Sequence, residues 1–231
     1  MGRIRVASFN ILHGRRADGG EEVDLEALVR AVRGLDADVL ALQEVDVGVP
    51  RSGRVDQAAF VAAATGMEVV FGKASRVGIV GRYGNALLAR GAITDVEVVP
   101  LPRTARRHEP RAAILASIAI GRRTISVCAT HLSIRRPEVH DQLEAVMAAL
   151  VARPGPLLLI GDLNLLPEEV APVVERHGMT LAPANQPTFP RREPRIRIDH
   201  VAVRGLTMAV PEVFATASSD HCALVVEVQI P

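Results

Sequence analysis

Residues 157–169 read "LLLIGDLNLLPEE". An aliphatic run of strand length breaks at Gly161, and an acid and an amide, Asp162 and Asn164, follow where a strand would end. A strand that is apolar at nearly every position has to be covered on both faces. "DVLAL" (38–42) and "ALVVEV" (223–228) have the same character, whereas "RIRIDHV" (195–201) alternates. The fold therefore needs sheets with a layer on either side.

Working outward, helical spacing of apolar residues predicts four helices. "DLEALVRAVRGL" (24–35) puts Leu25, Leu28, Val29 and Val32 on one face behind Asp24 as N-cap. "PEVHDQLEAVMAALVA" (137–152) does the same with Leu143, Val146, Met147 and Leu150 behind Pro137. Two shorter helices are expected over 56–65, ahead of Gly66, and over 168–176. Strands are expected at 3–9, 39–43, 68–71, 86–89, 96–100, 112–118, 124–130, 157–160, 197–203, 206–210 and 223–229. Strands this numerous, many adjacent in sequence, with few helices, read as two packed sheets with helices outside. The expected fold is a four-layer α/β/β/α sandwich of mainly antiparallel sheets.

The chain has 231 residues, 48% of them hydrophobic, enough for a sizeable core, and we expect one domain over 1–231. Its 27 basic and 26 acidic residues leave a net charge of +1, so no bulk attraction to nucleic acid or anionic lipid is built in. Cys128 and Cys222 each lie in an apolar run and read as buried thiols in a reducing, cytoplasmic setting. The apolar part of "MGRIRVASFNIL" is too short for a signal peptide, Val6 stands where a myristoylation signal wants Ser or Thr, and no run suffices for a membrane span.

The acid-and-amide ending of the first stretch has counterparts: "VASFN" ends at Asn10, "LALQE" at Glu44 and "CATH" at His131, while "RIDHV" adds Asp199 and "SSDHC" adds Asp220 and His221. Carboxylates beside amides and imidazoles at strand exits suit a hard cation and an anionic substrate. Each has a plainer explanation. Asn10 and Asn164 serve as turn residues, Glu44 as the first solvated residue after a strand, and Asp162 and Asp220 as turn formers. His131, His200 and His221 can be buried imidazoles satisfied by carbonyls.

Taken together and in order, the phrases "SFNIL", "LALQEV", "GRYGNALL", "EPRAA", "ATHL", "GDLN", "RIDHV" and "SDHCAL", spanning 8–224, resemble the endonuclease/exonuclease/phosphatase, or deoxyribonuclease I-like, family. That resemblance implies a four-layer α/β/β/α sandwich, in agreement with the periodicity, and divalent-metal-dependent hydrolysis of phosphoester bonds. It implies Glu44 as principal ligand of Mg2+ (or Mn2+), with Asn10, Asp220 and Asp162 in the metal's surroundings. It makes His221 the general base oriented by Asp199, and has Asp162 and Asn164 face the attacking water and the scissile phosphate. His131 would donate to a phosphate oxygen with Asn85 as its partner, and Arg111 and Tyr83 would lie at the phosphate pocket.

The family's branches differ in substrate, from abasic DNA and RNA tails to inositol phosphates and sphingomyelin, and share a core that does not choose among them. With no Trp and a single Tyr, Tyr83, stacking platforms for nucleic acid are scarce. The abasic-site branch carries tryptophan near its pocket and a "RIDY"-like phrase, where this chain has "RIDHV". "DVGVPRSGRVDQ" (46–57) resembles a loop of small bacterial metal-dependent hydrolases, with Arg51 and Arg54 as candidate substrate contacts. Arginine clusters at 103–111 and 191–197 are either phosphate grips or ordinary solvated charge. The expected substrate is a small-molecule phosphoester, with nuclease activity as the alternative. A catalytically silent binding module is a further alternative, and a zinc hydrolase is disfavoured because paired His or Cys spacing is missing.

Overall fold

The computed structural model describes residues 2–16, 18, 20 and 22–231. One sheet contains β1 (Gly2–Asn10), β2 (Val39–Val47), β3 (Glu68–Val77), β4 (Gly81–Ala89), β11 (Thr207–Met208), β12 (Glu212–Phe214) and β13 (Ala223–Ile230). Its order is β11-β13-β1-β2-β4-β3, with β12 also pairing β13. The second contains β5 (Ile93–Pro100), β6 (Ala112–Ile120), β7 (Arg123–His131), β8 (Leu157–Asp162), β9 (Thr180–Leu181) and β10 (Asp199–Arg204), ordered β5-β6-β7-β8-β10-β9. Pairing is antiparallel except between β1 and β2 and between β7 and β8.

The helices are α1 (Leu25–Leu35), α2 (Gln57–Thr65), α3 (Glu138–Val151) and α4 (Pro167–Arg176). Asp24 caps α1 by accepting from the Ala27 amide at 2.8 Å, and Asp56 caps α2 through Ala59 at 2.9 Å, each satisfying an orphan N–H of a first turn. All four predicted helices form within a residue or two. Every predicted strand has a counterpart, most of them longer; that expected over 206–210 shrinks to Thr207–Met208. The short β9 and β12 were not anticipated, and two or three residues carry too little alternation to be read as strands.

Three apolar clusters separate the four layers. Val6, Val39, Ala41, Leu87, Ile114, Val127, Leu158, Ile160 and Leu224 fill the space between the sheets. Leu28, Val32 and Leu35 of α1 and Val61 of α2 pack on Phe9, Leu40, Leu42 and Leu88 of the first sheet. Leu143, Val146, Met147 and Leu150 of α3 and Val170 and Val174 of α4 cover Leu157, Leu159 and Leu115 of the second. The "LLLI" run is resolved by this arrangement: Leu158 and Ile160 point between the sheets while Leu157 and Leu159 point to the helices. No helix among the described residues is long and apolar enough to cross a membrane. Cys128 and Cys222 are buried and unbridged.

Candidate active site

Strand register assembles the centre. His131 ends β7 opposite Asp162 at the end of β8, and Asp162 is in turn opposite Asp199 at the start of β10, so three neighbouring strands put one polar residue each in a single row. In the other sheet Asn10 ends β1 beside Gln43 of β2. The β2–β4 ladder then slips between Leu42 and Val45, and Glu44 sits in this bulge with φ of 59°. A bulge re-aims a side chain, and it leaves Glu44 half-buried amid a strand that is otherwise covered.

Asp162 is the meeting point of the two sheets. Its Oδ2 accepts from Asn10 Nδ2 at 3.1 Å and lies 3.5 Å from His131 Nε2 and 3.7 Å from His221 Nε2. Its Oδ1 accepts from the Asn164 amide at 3.1 Å, so Asp162 is both a turn former and a site carboxylate. Asn164, at φ of 51°, donates from its side chain to the Leu132 carbonyl. Asn10 Nδ2 also reaches Glu44 Oε1 at 3.2 Å, while its Oδ1 accepts from the Leu12 amide at 3.1 Å. That second bond fixes the amide's orientation: Asn10 turns its NH2 toward the carboxylates and bridges them, rather than turning its oxygen toward them.

His221 Nδ1 faces Asp199 Oδ2 at 3.1 Å, an imidazole–carboxylate pair, and the His221 ring rests 4.8 Å from that of Phe189. The loop carrying it is pinned to β1, because the Ser219 hydroxyl donates to the Asn10 carbonyl at 2.6 Å and accepts from the His221 amide at 3.1 Å. Asp220 lies one residue away and is exposed, on the side of a neighbouring pocket.

Asn85 does not touch His131. Its amide is spent on the Ala112 carbonyl at 2.9 Å, a tie between the sheets, and the group on His131 Nδ1 is Arg111, at 2.8 Å. Since a guanidinium only donates, His131 Nδ1 accepts and Nε2 carries the proton that points at Asp162. Arg111, Tyr83, Arg51 and Glu44 share a cavity of about 230 Å³. Arg51 grips buried Asp46 through two bonds of 2.8 Å, and Arg54 is exposed outside that cavity. His200 takes the plainer role: it is buried against the Leu165 carbonyl at 2.9 Å, and burial lowers its pKa to about 4.

One residue went unread in the sequence. His13, at φ of 57° in the turn after β1, places Nε2 3.4 Å from Glu44 Oε2 and Nδ1 3.2 Å from Arg51. Its backbone carbonyl is held by Gln57 at 2.6 Å. Its nearness to "SFNIL" was the only available signal.

A profile of the Endonuclease/Exonuclease/phosphatase family matches residues 7–221. The chain belongs to this family. Membership places it among hydrolases acting on phosphoester bonds, a metal-dependent family. No curated protein matches it by sequence. Among solved structures, an endonuclease/exonuclease/phosphatase from Beutenbergia cavernae DSM 12333 superposes with a TM-score of 0.82 at 22% identity, over 100% of this chain and 72% of that one. TDP2 from Caenorhabditis elegans gives 0.71 at 19% identity, over 98% of this chain and 74% of that one. ANGEL2, a 2',3'-cyclic phosphatase, gives 0.78 at 14% identity, over 99% and 95%. At such identities these likenesses speak for the fold.

Electrostatics in this endonuclease/exonuclease/phosphatase-family site follow from burial and crowding. Burial raises the Asp162 carboxyl to about 7, with Asp199 adding to the rise and His221, Asn10 and the Asn164 amide opposing it. Burial pulls His221 down, but Asp199, then Asp162 and Asp220, outweigh it and raise it to about 10. His131 is pushed well below the usual imidazole range, by burial first and by Arg111 second, and stays neutral. Burial, then Glu44, raises the Tyr83 phenol, so it stays protonated. Asp162, Asp199 and His221 offer donor atoms within 4.8 Å of one another, close enough to hold an ion, and buried Asp199 Oδ1 has no partner among the described residues. With Glu44, three carboxylates converge, an oxygen-rich set that fits a hard divalent cation.

Proposed function

We propose that this protein is a divalent-metal-dependent phosphoesterase that hydrolyses its substrate by in-line attack of a water activated by His221 and Asp199. The observation that carries the reading is the convergence on Asp162 Oδ2 of Asn10, His131 and His221, from both sheets, within 3.7 Å. The scissile phosphate sits at that point.

Asp199 accepts from His221 Nδ1, which leaves Nε2 toward Asp162 and free to take a proton. A water within hydrogen-bond reach of both His221 Nε2 and Asp162, off the line joining them, gives its proton to Nε2 as its oxygen bonds to phosphorus. The ester oxygen departs with its electron pair and takes a proton from solvent, giving an alcohol and a phosphate with one ester fewer. His131 Nε2–H donates to a non-bridging oxygen, and Arg111 holds that proton in place from the other side of the ring. Glu44 would be the main cation ligand, steadied by Asn10, because its side chain is 19% exposed whereas His221 Nδ1 is already engaged by Asp199. Mg2+ or Mn2+ held there would supply positive charge to polarise the phosphate and to offset the carboxylate field that keeps His221 protonated. Asp220, exposed beside His221, and Asn164, whose amide donates to Asp162, flank the site, and Tyr83 and Arg51 would contact the substrate from the cavity they share with Glu44.

The chain acts as a single domain over 1–231, and its two unbridged buried thiols favour a cytoplasmic setting. The test is hydrolysis of bis-p-nitrophenyl phosphate with added Mg2+ or Mn2+. We expect turnover that EDTA abolishes and that His221→Ala lowers on the order of 10²- to 10⁴-fold. A folded His221→Ala protein as active as wild type, or activity indifferent to EDTA, overturns the reading. Abasic duplex, single-stranded DNA, RNA and a 2',3'-cyclic nucleotide, the last suggested by ANGEL2, then rank the substrate classes.

A further inference from the structure

A second cavity, of about 440 Å³, is lined in part by Asp220, the chain neighbour of His221. That is the size of a small-molecule site and far more than a single phosphate fills. Its floor is apolar, made by Leu12 and Pro190, and its walls carry Arg15, Arg16, Arg191, Arg192 and Arg195 against two carboxylates, Glu193 and Asp220. Two distant stretches of a chain with a net charge of only +1, 15–16 and 191–195, thus bring five guanidinium groups to one pocket.

Local pairing absorbs part of this charge. Arg16 is tied to Asp18 at 2.9 Å and Arg195 to Glu193 at 2.6 Å, while Arg192 donates to the Asp18 carbonyl. Arg191 donates to the Thr216 carbonyl, a neutral acceptor that fixes the guanidinium without neutralising it, and its backbone amide holds the Asp220 carbonyl. Arg15 and Arg191 make no ion pair among the described residues.

Three residues that line the cavity are next to, or bonded to, residues of the centre. Asp220 lines the cavity and His221 follows; Pro190 lines it and the Phe189 ring lies 4.8 Å from that of His221, tilted by 46°; Leu12 lines it and donates its amide to Asn10. A substrate whose scissile phosphate meets His221 can reach these arginines with its next portion.

We infer that this pocket binds a second phosphate-bearing, nucleotide-sized portion of the substrate, with Arg15 and Arg191 as its anion contacts. The inference rests on the proposed placement of the scissile phosphate, and it names the substrate class: a phosphoester carrying a further phosphate one unit away. Guanidinium groups suit that ligand because they donate two hydrogen bonds to a phosphate in a fixed fork and keep their charge.

The probe is thymidine 3',5'-bisphosphate, compared with the two thymidine monophosphates by calorimetry on the full chain in Mg2+ buffer. We expect the bisphosphate to bind on the order of tenfold tighter than either monophosphate, the scale of one charge-assisted contact. R15Q and R191Q should each remove most of that preference and leave the melting temperature and bis-p-nitrophenyl phosphate hydrolysis as in wild type. R122Q, which removes an exposed arginine on the β6–β7 turn, should leave the preference intact. Equal affinities in wild type, or an equal loss in R122Q and R15Q, overturns the inference. If the preference holds while the diester is not hydrolysed, the catalytic reading falls and the pocket stands.

Discussion

Arg111 decides what His131 can do. An imidazole near a carboxylate ordinarily has two neutral tautomers and a protonated form within reach. Donation from Arg111 into Nδ1, with burial, leaves one: neutral, with the proton on Nε2. Replacing Arg111 by Met should leave the fold intact, reduce turnover on the order of 10- to 100-fold, and let His131 populate both neutral tautomers, seen in its ring 15N shifts; Lys, which still donates, should restore part of both. A single Nε2–H tautomer in the Met variant sinks this account. Residue types at strand ends made His131, Asp162, Asp199 and His221 legible, because an acid or imidazole after a buried run is conspicuous. Partners were not legible: Asn85 and Arg111 both lie near "ATHL" in the folded protein, and only packing decides that the amide takes a carbonyl and the guanidinium the ring.

At the level of elements, β7, β8 and β10 hold their three groups by ladder register, and Gly161 lets β8 approach β7 closely. A Cβ at Gly161, whose φ is +157°, would stand 2.0 Å from the Thr130 carbonyl oxygen. Thr130 and Gly161 are one step from the His131–Asp162 pair, so Gly161→Ala pries apart the strands where the site is built. We expect a destabilisation on the order of 1–3 kcal/mol by thermal or urea unfolding, with a loss of turnover that remains at temperatures where the variant is fully folded. An Ala variant of wild-type stability removes the argument. Helices were readable because their apolar spacing, and for α1 and α2 an aspartate cap, are local. The β2 bulge was not, since "LALQEV" looks like an unbroken strand and the slip that frees Glu44 depends on the partner strand.

For the molecule as a whole, the two sheets close over a shared set of charges, and this couples stability to pH. Asp162 goes from an ordinary 3.8 to about 7 and His221 from 6.5 to about 10, so the folded state holds both protons more tightly than the unfolded chain. The Asp162 contribution is complete below pH 3.8 and is lost as pH rises to about 7; the His221 contribution is complete below 6.5 and is lost toward about 10. His131 and His200, which burial keeps neutral, act in the opposite direction below pH 6.5, so in EDTA the melting temperature should decline between pH 7 and pH 10, where His221 alone of these groups loses its proton, with His221→Gln flattening that decline. A melting temperature independent of pH in that range contradicts these shifts. The four layers followed from sequence, because runs apolar at every position demand cover on both sides; which end of each strand meets which required the topology.

The row formed by His131, Asp162 and Asp199 has a consequence for how such a protein acquires new chemistry's targets. Spacing along that row is set by adjacent hydrogen-bonded strands, roughly 4.8 Å apart, a length the main chain fixes whatever side chains surround it. Arg15, Arg51 and Arg191 stand instead on connecting segments. Exchange of those segments changes the guest and leaves the ruler untouched, so grafted loops offer a route to altered selectivity with the cutting machinery preserved.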